Sequence, residues 1–201
     1  MKTIFIILSA YLIGSIPFSH IFPKLKGKDV KTAGTKNVGA TNALVVAGPL
    51  MGALALAGDI AKGYLAIFLA QHYHLAPWAV LLAGFAAVAG HDFSLFLRFK
   101  GGKGVATTGG TFLAIDPVFG LLMILIWALC LAVFRYFIPS TMVALAFAPV
   151  LMWMGSMSWS YILYGVALFF LAAYAHRGDL KRFAAGQELT IAESMAKYLK
   201  K

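Results

Sequence analysis

Residues 3–22, 48–70, 75–97, 117–135, 138–157 and 159–175 are six largely apolar stretches. A helix needs ~20 such residues to cross a bilayer. In hydrocarbon every backbone N–H and C=O must be paired internally, so stretches of this kind fold as helices. A membrane barrel would instead show ~10-residue segments of alternating polarity. With 61% hydrophobic and only 12% charged residues, the chain cannot cover a soluble surface. The expected fold is all-α: a polytopic membrane protein forming one domain over residues 1–201. Cys130 is the only cysteine and lies in an apolar run, so it is read as a packing residue. Lys2 followed by the run Ile4–Ile13 imitates a signal peptide. The run continues through Gly14, Pro17 and His20 without a small-residue cleavage pattern, so it is read as a retained first helix.

The formal net charge is +10. Its placement argues for cytoplasmic loops rather than for nucleic-acid binding. Lys24, Lys26, Lys28, Lys31 and Lys36 fall in 23–47, and Arg98, Lys100 and Lys103 in 98–103. Arg177, Lys181, Arg182, Lys197, Lys200 and Lys201 fall after 176. Placing all three groups in the cytoplasm requires the short apolar piece 104–116 to cross. Seven transmembrane helices result, with the N-terminus outside and the C-terminus inside a cytoplasmic (inner) membrane. The outer turns 71–75, 116–117 and about 158 then carry no lysine or arginine, and Lys2 is the one violation. No internal repeat of the transporter kind is evident.

The polar clusters gather in the cytoplasmic regions, about 24–47, 98–104 and 176–201. Polar groups at a membrane edge are costly and usually functional. In Phe99-Lys100-Gly101-Gly102-Lys103-Gly104-Val105, glycines precede a helix start, where free N–H groups and the dipole favour phosphate. The spacing is not that of a nucleotide P-loop, which would need glycine at Leu97 and serine or threonine at Gly104. The segment Gly34-Thr35-Lys36-Asn37-Val38-Gly39-Ala40-Thr41-Asn42 offers backbone N–H groups, hydroxyls and amides suited to oxyanions, or an ordinary polar loop. His91 and Asp92 are neighbours and do not share a helix face, so they are not read as a dyad. Asp59 and Lys62, at i and i+3, are expected to neutralise each other as a structural pair. His176, in His176-Arg177-Gly178-Asp179, is the best candidate general base. No grouping has metal-ligand spacing, and neither metal nor cofactor is expected.

These clusters, in this order, resemble the acyl-phosphate-dependent, membrane-bound glycerol-3-phosphate acyltransferases of bacteria (the PlsY family). The likeness runs from Gly14-Ser15-Ile16-Pro17 through the 34–42 loop, Asp59 with Lys62-Gly63 and Gly90-His91. It continues through Phe99–Thr107 to His176-Arg177, Arg182, Gly186 and Glu188. The resemblance implies transfer of a fatty acyl group from acyl phosphate to the 1-hydroxyl of glycerol 3-phosphate, giving lysophosphatidic acid for phospholipid biosynthesis. It also implies three cytoplasmic motifs around one site, contact with membrane lipid, and an upstream enzyme that forms acyl phosphate.

Carried onto this chain, the expected catalytic residues are His176, Lys103, Thr35 and Ser140. The expected substrate-binding residues are Lys31, Gly34, Lys36, Asn37, Gly39, Thr41 and Asn42 of the first motif. His91, Lys100, Gly101, Gly102 and Gly104 belong to the second, and Arg177, Asp179 and Glu188 to the third. The chain departs from the family pattern. Thr35 and Lys36 replace serine and glycine, Lys31 and Val45 replace arginines, Ser94 replaces proline, and Asp179 replaces asparagine. The alternatives are a catalytically impaired family member, or a transporter for a small anionic metabolite.

Overall fold

A computed structural model describes residues 1–199. Lys200 and Lys201 of the basic tail lie outside the described residues. Among those described there are only helices and their connections. The helices are α1 (Lys2–Ser15), α2 (Phe18–Leu25), α3 (Ala40–Ala47), α4 (Pro49–His72), α5 (Pro77–Asp92), α6 (Val105–Ile115), α7 (Pro117–Phe134), α8 (Phe137–Met154), α9 (Trp159–Ala175), α10 (Arg177–Ala184) and α11 (Ile191–Leu199). A 3-10 turn, Leu95–Leu97, follows α5.

Prolines set several boundaries. Pro49, Pro77 and Pro117 open α4, α5 and α7 at the first helical position, where a missing N–H costs nothing. Asp116 caps α7 by accepting from Phe119 N at 2.8 Å. The first apolar stretch is not one straight helix. It breaks at Ile16-Pro17 into α1 and α2, because proline cannot donate to the preceding turn. The freed Ile16 carbonyl accepts from Lys62 Nζ of α4 at 2.9 Å.

Five segments are long and apolar enough to cross a membrane: Lys2–Leu25, Pro49–His72, Pro77–Leu97, Pro117–Phe134 and Phe137–Met154. Trp159–Ala175 makes a sixth when counted with Arg177–Ala184, which bends away from it by 67°. The short piece after the glycine turn becomes α6, of 11 residues. At 1.5 Å per residue it is ~16 Å long, about half the hydrocarbon thickness. Gln71 Nε2 near the end of α4 donates to Ala114 O at 3.4 Å, so α6 ends beside the end of α4. It buries Thr107, Thr108, Gly110, Thr111 and Phe112 inside the bundle.

One apolar core joins Leu81 and Val88 of α5 to Phe112, Phe119, Leu145, Met152 and Leu168. A second joins Ile6 and Ala10 of α1 to Ala66, Ile67, Ala83 and Ala87 of α4 and α5. Outward-facing residues stay apolar, as at Val118, Leu125 and Val133 of α7, which suits a lipid surround. At the opposite pole α11 packs against α3, and Ile191 N donates to Arg135 O at 3.0 Å. Thr190 and Glu193 form a reciprocal cap at its start, with Glu193 N donating to Thr190 Oγ1 at 3.2 Å and Thr190 N to Glu193 Oε2 at 2.8 Å. The loop 26–39 meets the 93–104 turn through Val30, Val38 and Leu97, and that turn meets the post-α9 segment through Lys103 and Asp179, so all three gather at one pole.

Candidate active site

The glycine turn is built onto the end of α5. Gly101 N donates to Asp92 O and Gly102 N to His91 O, each at 3.0 Å. Those two N–H groups are therefore already engaged, which corrects the expectation that all of 101–104 offers N–H groups to a phosphate. Lys103, Gly104 and the first turn of α6 remain for that task. Gly104 has φ +67°, a left-handed conformation that lets the chain turn directly into Val105. A Cβ on Gly102 would collide with Val38 O and His91 Nε2, so only glycine lets the first loop seat against the turn. Val30, Val38 and Leu97 form a small apolar cluster that holds the loop there.

Asn42 organises that loop. It is 1% exposed. Its Nδ2 donates to Val30 O at 2.8 Å, Asn37 O at 2.9 Å and Ala33 O at 3.2 Å, and its Oδ1 accepts from Thr35 N at 2.9 Å. Its polar atoms are consumed by the backbone, so the structure makes Asn42 a loop staple where a substrate contact was expected. Lys31, Thr35, Lys36 and Thr41 are exposed, and Gly34, Asn37 and Gly39 half-buried. Thr35 Oγ1 receives only a long bond, from Asn37 N at 3.4 Å. Lys36 has φ +60°, the left-handed region that a glycine would occupy without strain.

The third cluster meets the second at Asp179. Its carboxylate contacts Lys103 Nζ, His176 Nδ1 at 3.0 Å and Arg182 Nη2. Arg182 Nε in turn donates to Glu188 Oε2 at 3.0 Å. Asp179 lies past the last spanning helix. Burial opposes its charge, but hydrogen bonds from His176 and Lys103 outweigh burial and hold its carboxyl below the usual carboxylate range. His176 is fully buried at the junction of α9 and α10, and its Nε2 has no partner among the described residues. Arg177 points elsewhere: its Nη1 donates to Tyr174 O at 2.8 Å and its guanidinium sits 4.1 Å from the Tyr174 ring centroid. Lys100 is exposed on the turn. Ser140 is buried and donates to the O of Tyr136, the residue just before its own helix, at 2.6 Å.

Beneath the glycine turn lies a buried ionic cluster. Asp59 Oδ1 is 2.9 Å from Lys62 Nζ, as the i,i+3 spacing predicts, and 3.5 Å from His91 Nδ1. Ser19 Oγ donates to Asp59 Oδ2 at 2.6 Å, and Thr107 Oγ1 lies 3.2 Å from His91 Nδ1. Both Asp92 carboxylate oxygens are buried without a hydrogen-bond partner among the described residues. Sequence reasoning missed Ser19, Thr107 and the Asp59–His91 contact, since no short spacing signals them. It also left Arg182 out of the site, although its i,i+3 spacing from Asp179 was readable. Ser94 ties the turn to α1: its Oγ donates to Ser15 O at 2.5 Å.

The glycerol-3-phosphate acyltransferase family profile matches residues 4–186. A glycerol-3-phosphate acyltransferase of Thermosipho melanesiensis is 40% identical over 188 residues, covering 94% of this chain and 92% of the relative. Another, from Burkholderia cenocepacia, is 38% identical over 197 residues, covering 96% of this chain and 92% of the relative. A crystal structure of PlsY, an integral membrane glycerol 3-phosphate acyltransferase, in its glycerol 3-phosphate form, matches with a TM-score of 0.89 at 31% identity. That match covers 95% of this chain and 96% of that one. The lysophosphatidic acid form of PlsY matches with a TM-score of 0.88 at 30% identity, covering 97% and 99%. With the profile spanning nearly all of the chain, and relatives alike over almost their full length, this protein belongs to the PlsY family of membrane-bound glycerol-3-phosphate acyltransferases.

Proposed function

We propose that this chain, as a single domain, transfers a fatty acyl group from acyl phosphate to the 1-hydroxyl of glycerol 3-phosphate. The products are lysophosphatidic acid and inorganic phosphate, formed at the cytoplasmic face of a bacterial inner membrane. The observation that carries the reading is the meeting of Lys103, on the glycine turn, with His176, after the last spanning helix, at one carboxylate. A cation for phosphate and an imidazole for a hydroxyl proton thus share one corner of the basic pole.

In this reading the N-terminus is outside, the C-terminus is cytoplasmic, and α6 completes a seventh crossing. Lys103, Gly104 and the first turn of α6 hold one substrate phosphate. Thr35, Lys36 and Asn37, with Lys31 and Thr41 nearby in the loop, hold the other or polarise the acyl carbonyl. His176 Nε2 accepts the proton of the 1-hydroxyl as its oxygen bonds to the acyl carbon. The bond from that carbon to the phosphate oxygen breaks, and the phosphate leaves with both electrons. The proton then passes from the imidazole to the departing phosphate. An acyl phosphate is already activated, so the protein chiefly aligns hydroxyl and carbonyl and stabilises developing charge. The fatty chain stays among the helices, and a separate enzyme forms the acyl phosphate.

The test uses purified protein with acyl phosphate, with and without glycerol 3-phosphate, and a parallel arm with acyl-CoA. Phosphate release that depends on glycerol 3-phosphate, with stoichiometric lysophosphatidic acid, is expected. Product from acyl-CoA alone, or phosphate release without acylated product, would overturn the donor assignment.

A further inference from the structure

We propose that the groove between α1 and α4, at the pole away from the candidate active site, seats one acyl chain of an anionic membrane phospholipid whose phosphate pairs with Lys2. The two helices run antiparallel. Ile16, just past the end of α1, accepts from Lys62 of α4. Lys2, at the start of α1, lies over Tyr73, just past the end of α4, with its Nζ 5.4 Å from the ring centroid. Between these contacts the helices leave a groove of about 180 Å³, lined by Phe5, Ser9 and Ala10 on one side and Ala66, Leu69 and Tyr73 on the other. Ala10 and Ala66 are buried at its floor, and Phe5 and Tyr73 stand exposed at its rim. An apolar cavity of ~150 Å³ accepts a benzene-sized guest, so a run of methylenes fits here.

A lipid tail gains no hydrophobic free energy by leaving other tails. The groove therefore supplies packing, and selectivity comes from its charged end. Lys2 is exposed and makes no ion pair among the described residues. Its ammonium stands one helical turn before Phe5, beside a tyrosine, a pairing typical of headgroup depth. A zwitterionic headgroup carries its own cation beside the phosphate, so a net-anionic one gains more from Lys2. In the orientation proposed above this end lies in the outer leaflet, where Lys2 is the one cation that breaks the positive-inside pattern. A lipid phosphate accounts for that exception. None of the acyl-transfer residues takes part.

The experiment reconstitutes the full chain in phosphatidylcholine vesicles with traces of a phospholipid carrying a photoreactive acyl chain. The probe is phosphatidylglycerol in one arm and phosphatidylcholine in the other. Labelled peptides are quantified after irradiation, and the lipid-facing side of α7, at Leu125 and Val133, reports ordinary lipid contact. Labelling of 5–10 and 66–73 by the phosphatidylglycerol probe is expected to exceed that on α7. It should also exceed labelling by the phosphatidylcholine probe about fivefold, the preference one lysine confers near an anionic headgroup. Lys2→Gln should equalise the two probes in the groove and leave α7 labelling unchanged. Ser9→Leu fills the groove and should reduce its labelling to the α7 level with Lys2 intact. Unchanged α7 labelling shows that a variant is folded, and Lys2→Gln, at an exposed position, decides alone if Ser9→Leu is not. Equal labelling by both probes in wild type, groove labelling no higher than on α7, or a preference that survives Lys2→Gln would each overturn the proposal. Groove labelling that persists in folded Ser9→Leu would overturn it as well.

Discussion

Lys103 and Asp179 stand 76 residues apart in sequence, and their side chains are in contact. That single ion pair ties the glycine turn at the end of α5 to the helix that follows the last span. Lys103 is one-quarter exposed and Asp179 buried, so a ligand phosphate can reach the ammonium from one side. Lys103→Ala should raise KM for the substrate whose phosphate it holds by about tenfold or more, since a charge-assisted hydrogen bond contributes ~1.5–3 kcal/mol. Titrating each substrate separately identifies which phosphate that is. Lys103→Arg should keep part of the affinity, because the charge survives but the shape changes. An unaltered KM for both substrates would remove Lys103 from the site.

Lys36 sits at φ +60° in the first loop. A side chain there costs ~1–2 kcal/mol that glycine does not bear. Lys36→Gly should raise thermal stability by about 1 kcal/mol, less the extra freedom glycine gains in the unfolded chain. Lys36→Ala is the control, because it keeps the strained backbone and removes only the charge. Equal stability in the two variants would show that conformation at residue 36 is not under strain.

Gly102 and Gly109 are seven positions apart in sequence and demand opposite outcomes. A methyl at Gly102 would meet Val38 O and His91 Nε2, whereas one at Gly109 meets nothing within 4 Å. Gly102→Ala should push the first loop off the turn and destabilise by about 1–3 kcal/mol, the usual penalty of overpacking. Gly109→Ala should be neutral or up to about 1 kcal/mol stabilising, since alanine is the better helix former. Thermal melts of both proteins, with acyl-transfer rates alongside, decide the comparison.

The apolar runs in the sequence predict the long helices well, because lipid leaves the backbone no alternative. Pro17 marks the break in the first one, although its consequence, a free carbonyl for Lys62, depends on α4 arriving beside it. The Asp59–Lys62 pair and the Asp179–Arg182 pair are spaced i,i+3 and are visible locally. The contacts of Asp59 with His91 and of Lys103 with Asp179 are not, because they arise only when separate helices pack. Asn42 shows the same limit from the other side. Its polar atoms suggested a ligand, and their use by four backbone groups is a property of the folded loop alone.

The buried Asp59–Lys62 pair allows a last test, of what holds the turn from below. Both side chains are nearly inaccessible, and Asp59 also meets Ser19 and His91. Removing one partner of a buried ion pair leaves an uncompensated charge and typically costs about 3–5 kcal/mol. Lys62→Met should therefore destabilise strongly, stranding Asp59 and leaving the Ile16 carbonyl at the helix break with only the Phe18 N–H as donor. Asp59→Asn should cost less, because the amide can still accept from Ser19 or Lys62, though Lys62 keeps its charge. The double variant Asp59→Leu with Lys62→Met removes both charges and should be more stable than Lys62→Met alone. The expected coupling between the two positions is of the order of 1–3 kcal/mol in a double-mutant cycle. Additive single effects would show that the pair is not the unit that supports the turn, and would move that role to the His91–Thr107 contact.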